Sequence, residues 1–309
     1  MKHIFIVNPV AGVGTAEKTL IPTIKSFVKE HEFDYEIHRS LNKSEIGSYC
    51  KQRASVGDDV RFYACGGDGT INDVANGIIG FPNAQLAIIP CGSGNDFVRC
   101  FTNKNNFLDI EKQANGAAVD IDLIKMTNSE GVATYTVNML NIGTDCDIAY
   151  NSKEMQRLPW VSGSASYVAS ALKILPQGRK YYLHYKYEGE EKDVVCLLCS
   201  MANGQFCGGG FRNAPKASLT DGLMDVSFIA PVPTKLLMPL MLKYRKGTHL
   251  EDERALPYIH SFQTSKLTLK PLADVNVCVD GECSPLKEVT LEIVPKSIKL
   301  VVPQGCEML

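Results

Sequence analysis

Arg61-Phe62-Tyr63-Ala64-Cys65-Gly66-Gly67-Asp68-Gly69-Thr70 is an apolar, strand-like run that ends in three glycines around one carboxylate. Residues 71–79 then carry a helical pattern. Glycine lets a backbone turn sharply and approach another group closely. A helix beginning just beyond it presents unpaired N–H groups and the positive end of its dipole. That combination suits a phosphate, and an aspartate at the same point suits a magnesium ion or its bound water. One strand later, Cys91-Gly92-Ser93-Gly94-Asn95-Asp96 repeats the device. The two loops offer backbone donors, the hydroxyls of Thr70 and Ser93, the Asn95 amide and the carboxylates of Asp68 and Asp96. Two carboxylates brought close are costly unless a cation or donor lies between them. The chemistry indicated is the binding of a nucleotide polyphosphate with magnesium.

A third segment, Asn8-Pro9-Val10-Ala11-Gly12-Val13-Gly14, fits either an ordinary strand-to-helix turn or a phosphate contact. It is not a dinucleotide fingerprint, because Glu17 stands where the third glycine would be, and the chain has no GxxxxGK[ST] loop. Near the other end, Asp280-Gly281-Glu282 places two carboxylates two residues apart, on one side of an extended chain. Such a pair can deprotonate a hydroxyl. Taken alone, a hairpin turn with solvated charges is the favoured reading.

The elements that must position these groups fall into two patterns. Residues 3–8, 35–39, 60–65 and 86–90 read as strands, alternating with helical patterns at 15–30 and 44–54. Alternation of this kind indicates a parallel α/β sheet, whose ligands bind beyond the carboxyl ends of the strands. From about residue 120 strands follow one another closely: 118–124, 134–142, 181–187, 194–201, 224–229, 265–269, 275–279, 289–293 and 298–302. They predict an antiparallel β domain, interrupted by helices at 164–174 and 234–246. The fold class expected is therefore α/β + β, with domains at 1–124 (completed by 296–309) and 125–295.

With 309 residues, 45% hydrophobic and 21% charged, the composition is that of a soluble globular chain. A net charge of −2 supplies no global basic field to recruit nucleic acid. No apolar run approaches the ~18 residues of a membrane span. The eleven cysteines, with no export signal at the N-terminus, read as reduced thiols. Cys196 and Cys199, although spaced CxxC, lack partners for zinc and read as core thiols. The 234–246 helix is apolar around most of its surface and basic at its end, suiting core packing first and a bilayer surface second.

The glycine segments, with Gly92-Ser93-Gly94-Asn95-Asp96-Phe97 in full, resemble the diacylglycerol kinase catalytic-domain family, which includes bacterial soluble lipid kinases, sphingosine kinases and ceramide kinase. The likeness continues through Val119-Asp120-Ile121-Asp122-Leu123, Asn141-Ile142-Gly143-Thr144-Asp145, Cys207-Gly208-Gly209-Gly210-Phe211, Asp221-Gly222-Leu223-Met224-Asp225 and Asp280-Gly281-Glu282, covering nearly the whole chain in order. The Gly66–Thr70 motif alone is also shared with NAD kinases and phosphofructokinases. The resemblance implies an N-terminal α/β domain of that kind, a C-terminal β-sandwich-like domain and an ATP cleft between them.

It further implies ATP and Mg2+, with nucleotide contacts from Asn8, Pro9, Gly12, Ser40, Gly66, Gly67, Asp68, Gly69, Thr70, Gly92, Ser93, Gly94 and Asn95. Asp68, Asp96 and Asp122 would form a water- and magnesium-linked network. A second metal would lie near Asp221, where Thr220 replaces a common acid. Asp73 stands where a glutamate is usual. Asp280 takes the general-base position, with Glu282 beside it. The expected function is phosphoryl transfer from ATP to a lipid hydroxyl, diacylglycerol first, by a cytoplasmic protein that meets its lipid at a membrane surface and binds no nucleic acid. A kinase for a soluble acceptor such as NAD or a sugar, and a catalytically silent regulator, are the alternatives. Oligomeric state is left open, a homodimer included.

Overall fold

Strands β1 (Lys2–Val7), β3 (Val60–Gly66) and β4 (Ala84–Pro90) are apolar almost throughout, and nearly every residue in them is buried. That is the pattern of strands covered on both faces of a parallel sheet. The computed structural model, which describes residues 1–309 apart from 10, 12–15, 41–42 and 156–162, places them side by side. The chain divides into two compact units, Met1–Leu123 with Pro295–Leu309, and Ile124–Val294.

In the first unit the strand order is β2 (Tyr35–Arg39), β1, β3, β4 and the last residues of β16 (Val289–Val302), each neighbour parallel to the next. Helices α1 (Ala16–Glu30), α2 (Lys43–Ala54) and α3 (Asp68–Ile78) make the crossovers. Pro22 lies inside α1, which continues through the lost amide donor. A short α4 (Ile110–Ala114) precedes β5 (Ala117–Asn128).

Arg61 is a buried cation near the start of β3. Its guanidinium donates to Gln85 Oε1 at 2.9 Å and to the carbonyls of Gln113 and Ala114 at 2.7 Å each, pinning α4 beneath the sheet. A fork of donors with fixed geometry can satisfy several acceptors at once.

The second unit is a sandwich of two antiparallel sheets. One runs β12 (Ile259–Thr264), β11 (Met224–Ile229), β10 (Leu198–Ala202), β7 (Met139–Gly143), β14 (Asn276–Val279) and β15 (Glu282–Pro285). The other contains β9 (Glu190–Cys196), β8 (Tyr181–Tyr187), β13 (Lys266–Pro271) and the first residues of β16, with the end of β5 pairing β6 (Ala133–Thr136). Leu140, Met201 and Phe228 from the first sheet meet Leu183, Leu267 and Leu291 from the second in one core, which also holds Cys196 and Cys199. Helices α5 (Thr144–Met155), α6 (Gly163–Ile174) and α7 (Thr234–Lys246) accompany this unit.

Four differences from the sequence reading have physical causes. The strand expected over 134–142 breaks at Val137 and Asn138, whose N–H groups are taken by the Asp280 carboxylate. The run 194–201 divides at Leu197, because β9 and β10 belong to different sheets. The runs 289–293 and 298–302 join into one strand kinked at Lys296 (φ 52°), where the Asp122 carboxylate accepts the Lys296 N–H at 2.8 Å. Helix α5, with apolar residues too sparse for a clear period, and the half-exposed β12 were not anticipated.

Replacing Arg61 by leucine removes three hydrogen bonds and takes the guanidinium donor from the part-buried Ala114 carbonyl, while Gln113 O keeps the Gly116 N–H, which costs about 1–3 kcal/mol. In urea the midpoint should fall with little change in slope. An unchanged midpoint would show that Arg61 anchors nothing.

Candidate functional site

The two glycine loops touch backbone to backbone. Cys91 N–H donates to Gly66 O at 2.9 Å, continuing the β3–β4 pairing past the ends of the strands. A Cβ on Gly92 would collide with the Gly67 main chain, and one on Gly66 would collide with the Thr70 side chain. Gly92 is therefore required by the close approach of the loops, and Gly66 by the packing of Thr70 against it.

Asp68 is the first residue of α3, preceded by an extended Gly67 that supplies no side-chain cap. Its carboxylate reaches across to the second loop, Oδ2 accepting Asp96 N–H at 3.1 Å and Oδ1 accepting Phe97 N–H at 3.0 Å. Asn95 holds a left-handed φ of 50°, and its amide closes its own loop by accepting from Gly92 N and donating to Gly92 O, each at 2.9 Å. Arg99 donates to Gly94 O at 3.2 Å and lies 3.4 Å from Asp96. Asn8 donates from Nδ2 to the buried Thr70 hydroxyl at 3.2 Å.

This geometry divides the groups expected to face a ligand. The Asn95 amide and the Thr70 hydroxyl make bonds inside the protein. The exposed Ser93 and the N–H groups of Asp68, Gly69, Ser93 and Gly94 have no acceptor among the described residues. They lie at or next to the N-terminus of α3, where the helix dipole favours an anion. Ser40 is buried beyond the end of β2 and donates its N–H to Val7 O at 3.1 Å. Pro9 is half-buried, and Gly12 lies outside the described residues.

The donor set also tests the magnesium expectation. Asp68 Oδ2 and Asp96 Oδ2 stand 3.3 and 3.4 Å from the point where a Gly94 Cβ would be, so both oxygens border one small cradle. Hard oxygen donors around such a cradle fit a hydrated magnesium ion. Asp122 is buried and held on Lys296 N–H. Among the described residues no three His, Cys, Asp or Glu side chains gather into a metal cluster. Asp221 lies in the second unit, exposed, and accepts Leu223 N–H at 3.0 Å within its own turn.

The second unit forms the hairpin turn that the residues alone favour, and corrects the same-face geometry of Asp280 and Glu282. Asp280 and Gly281, with φ of 43° and 88°, form the two-residue turn between β14 and β15. Left-handed φ at both positions is the geometry that Asp-Gly favours in hairpins. Residues 280 and 282 are therefore not successive same-face positions of one extended strand. Glu282 begins β15 exposed, whereas Asp280 is 8% accessible. The Asp280 carboxylate accepts three main-chain N–H groups, from Val137 at 3.0 Å, Asn138 at 3.2 Å and Met139 at 3.0 Å.

A second feature of this unit was not placed from sequence. An apolar pocket open to solvent is lined by Ile148, Leu197, Leu198, Phe211, Leu240 and Met241 among others. Its wall includes the Asp145 carboxylate, which accepts from Tyr167 at 3.4 Å and Tyr244 at 3.0 Å. Burial pushes Asp145 up to about 6, and the two tyrosine hydrogen bonds only partly oppose it. Burial holds His249, also on the wall, neutral by pushing it down to about 4. The signals for this site in the sequence are the aspartate directly after Gly143-Thr144, where β7 passes into α5, and the apolar 234–246 helix.

Residues 2–126 match the diacylglycerol kinase catalytic domain family, and residues 138–302 match the YegS C-terminal NAD kinase beta sandwich-like domain. A protein of Yersinia enterocolitica named "Probable lipid kinase YegS-like" is 29% identical over 80% of this chain and 80% of its own. A diacylglycerol kinase of Bacillus subtilis is 24% identical over 97% of this chain and 95% of its own. The crystal structure of a diacylglycerol kinase from Bacillus anthracis superposes with a TM-score of 0.70 at 20% identity, covering 98% of this chain and 97% of that one, which shows the shared fold.

Asp145 yields a pH test. Its folded-state value lies above that of an ordinary carboxyl, so it contributes stability that is fully present below about pH 4 and lost as pH rises through about 6, on the order of 3 kcal/mol. Asp145→Asn should remove that part of the profile. The stability gap between wild type and variant should therefore change across this window in thermal melts. A gap constant with pH would contradict the buried, shifted carboxyl.

Proposed function

The chain belongs to the family that joins a diacylglycerol kinase catalytic domain to a YegS C-terminal NAD kinase beta sandwich-like domain, and on that premise we propose that it transfers the γ-phosphoryl group of ATP to a lipid hydroxyl, with diacylglycerol the leading acceptor. The observation that carries the phosphoryl half is the tie from Asp68 to the second glycine loop, which holds two sets of main-chain donors in one place. The lipid half is supported by the apolar cavity in the second unit, whose lining suits hydrocarbon far better than a nicotinamide or a sugar.

In this reading, Gly69, Ser93 and Gly94 N–H groups orient the phosphates, and the α3 dipole stabilises their charge. Magnesium, when bound, neutralises charge on the phosphate oxygens, and Asp68 and Asp96 are the residues that would hold it through water. Asp280, oriented by the 137–139 main chain, takes the hydroxyl proton in this reading. Most of the acceleration then comes from positioning and charge stabilisation.

Helix α7 relates the cavity to a membrane. Leu237, Leu240, Met241 and Tyr244 line the cavity. Met238 and Leu242 are 45% and 54% exposed, and Lys243, Arg245 and Lys246 follow in the last turn. A helix with an exposed apolar strip and a basic end suits peripheral contact with anionic lipid. Among the described residues no helix is long and apolar enough to cross a bilayer.

With γ-labelled ATP, magnesium and a panel of lipids, label should enter the organic phase. Asp68→Asn should lose 100-fold or more in kcat/KM for ATP. Asp280→Asn should lose kcat with ATP affinity retained. Label that stays with a water-soluble acceptor would support the rival kinase reading, and ATP binding without transfer to any acceptor would support a silent regulator. An Asp280→Asn protein that melts early but turns over normally would make Asp280 a turn anchor rather than a base.

For α7, Leu242→Asp should weaken binding to anionic vesicles several-fold in flotation assays while leaving turnover on a short-chain, water-dispersed acceptor unchanged. Equal vesicle binding by the variant would remove α7 from the membrane contact.

A further inference from the structure

Three thiols meet beside the Asp280 turn. Cys146 lies on α5 and is buried, Cys278 lies on β14 and is buried, and Cys283 lies on β15 half-exposed. Cys278 faces Cys283 across the hairpin, and α5, which carries Cys146, packs against both β14 and β15. Cys283 Sγ is also 3.8 Å from the Cys146 carbonyl oxygen. All three are thiols in this structure. We propose that this cluster is an oxidation site in which peroxide converts Cys146 and Cys283 into a disulfide that clamps α5 to the hairpin carrying Asp280.

The choice of pair follows from register and access. Val279 faces Glu282 across the two-residue turn, so Cys278 and Cys283 form the next facing pair. In a two-residue hairpin that pair is the non-hydrogen-bonded one, with Cα atoms about 4.5 Å apart, at the lower limit for a disulfide. Cys146 comes from α5, so its distance from Cys283 is not set by the hairpin register. Cys283 is the member that solvent can reach. Hydrogen bonds to Cys278 and Cys283, with burial adding to them, push the Cys146 thiol far up, so it is not the first to react.

The steps balance. Cys283 sulfur attacks hydrogen peroxide, the S–O bond forms as the O–O bond breaks, and one water leaves. Cys146 sulfur then attacks Cys283 sulfur, the S–O bond breaks, and the hydroxyl departs with the Cys146 proton as a second water. Two thiols lose two electrons and one peroxide gains them.

Closing from hydrogen-bond contact to a bond of about 2.05 Å draws β15 toward α5 by on the order of 1–2 Å. Asp280 begins the turn that joins β14 to β15, and Asp145 adjoins Cys146 on α5. A misplacement of about 1 Å can cost as much as 100-fold in rate. Oxidation should therefore slow turnover about tenfold or more, an effect that rests on the kinase reading, whereas the linkage itself does not.

The test treats the reduced full chain with hydrogen peroxide, maps disulfides by mass spectrometry after alkylation, and assays phosphoryl transfer to diacylglycerol before and after dithiothreitol. The expected result is a Cys146–Cys283 linked peptide, about tenfold slower turnover and recovery on reduction. Cys283→Ser should keep basal turnover and lose both responses, and Cys146→Ala should lose the linked peptide. A Cys278–Cys283 link, no link at all, unchanged turnover in the linked protein, or a Cys283→Ser protein still inactivated by peroxide would each overturn the proposal. If the reduced protein phosphorylates no lipid, the kinase reading fails, and the linked peptide alone decides for or against the oxidation site.

Discussion

The first unit depends on one carboxylate bridging two loops. Asp68 begins α3 at the end of β3 and accepts the N–H groups of Asp96 and Phe97, which follow β4. Glycine-rich loops pay a large entropy penalty to become ordered, and this charge-assisted pair of bonds offsets part of it. The apposition of Gly67 and Gly92, which leaves no room for a Cβ on Gly92, sets how close the loops can come. Because Asp68 spends both oxygens on the neighbouring loop, the site retains main-chain N–H groups for an anion. Under the proposed function, the negative charge at the cradle, shared with Asp96, would call for a cation beside a bound phosphate.

In the second unit two buried carboxylates show how surroundings decide what an acid does. Asp280 is surrounded by main-chain donors from 137–139 and serves first to fix a hairpin turn. Asp145 faces an apolar wall with only two phenols for company, and burial lifts it toward neutrality. Buried polar groups persist where hydrogen bonds compensate them. Here the compensation is complete enough at Asp280 to break a strand, and partial enough at Asp145 to leave a carboxyl that changes charge near pH 6.

Much of the first unit is legible in the sequence because its signals are local. The apolar runs of β1, β3 and β4 need no distant partner to be read as buried strands, and glycines beside Asp68 and Gly92 report a close approach directly. The second unit hides its logic in contacts between distant residues. Nothing around 137–138 announces that a carboxylate 142 residues later will accept Asn138's N–H, and nothing around Leu197 shows that the chain changes sheets there. At Asp280-Gly281-Glu282 the hairpin turn is legible, but the same-face placement of the two carboxylates is not, because alternation holds along a strand and fails through a turn with left-handed φ. Asp145 was present in a recognisable motif, but its burial depends on Tyr167 and Tyr244, which come from α6 and α7.

The most direct test of this account is an experimental structure with magnesium and a non-hydrolysable ATP analogue. The account predicts phosphate oxygens within hydrogen-bond distance of the Gly69, Ser93 and Gly94 N–H groups, with Asp68 still accepting Asp96 and Phe97 N–H and the metal beside Asp68 and Asp96. A nucleotide bound away from these loops, or an Asp68 released from the second loop to bind the metal alone, would contradict it.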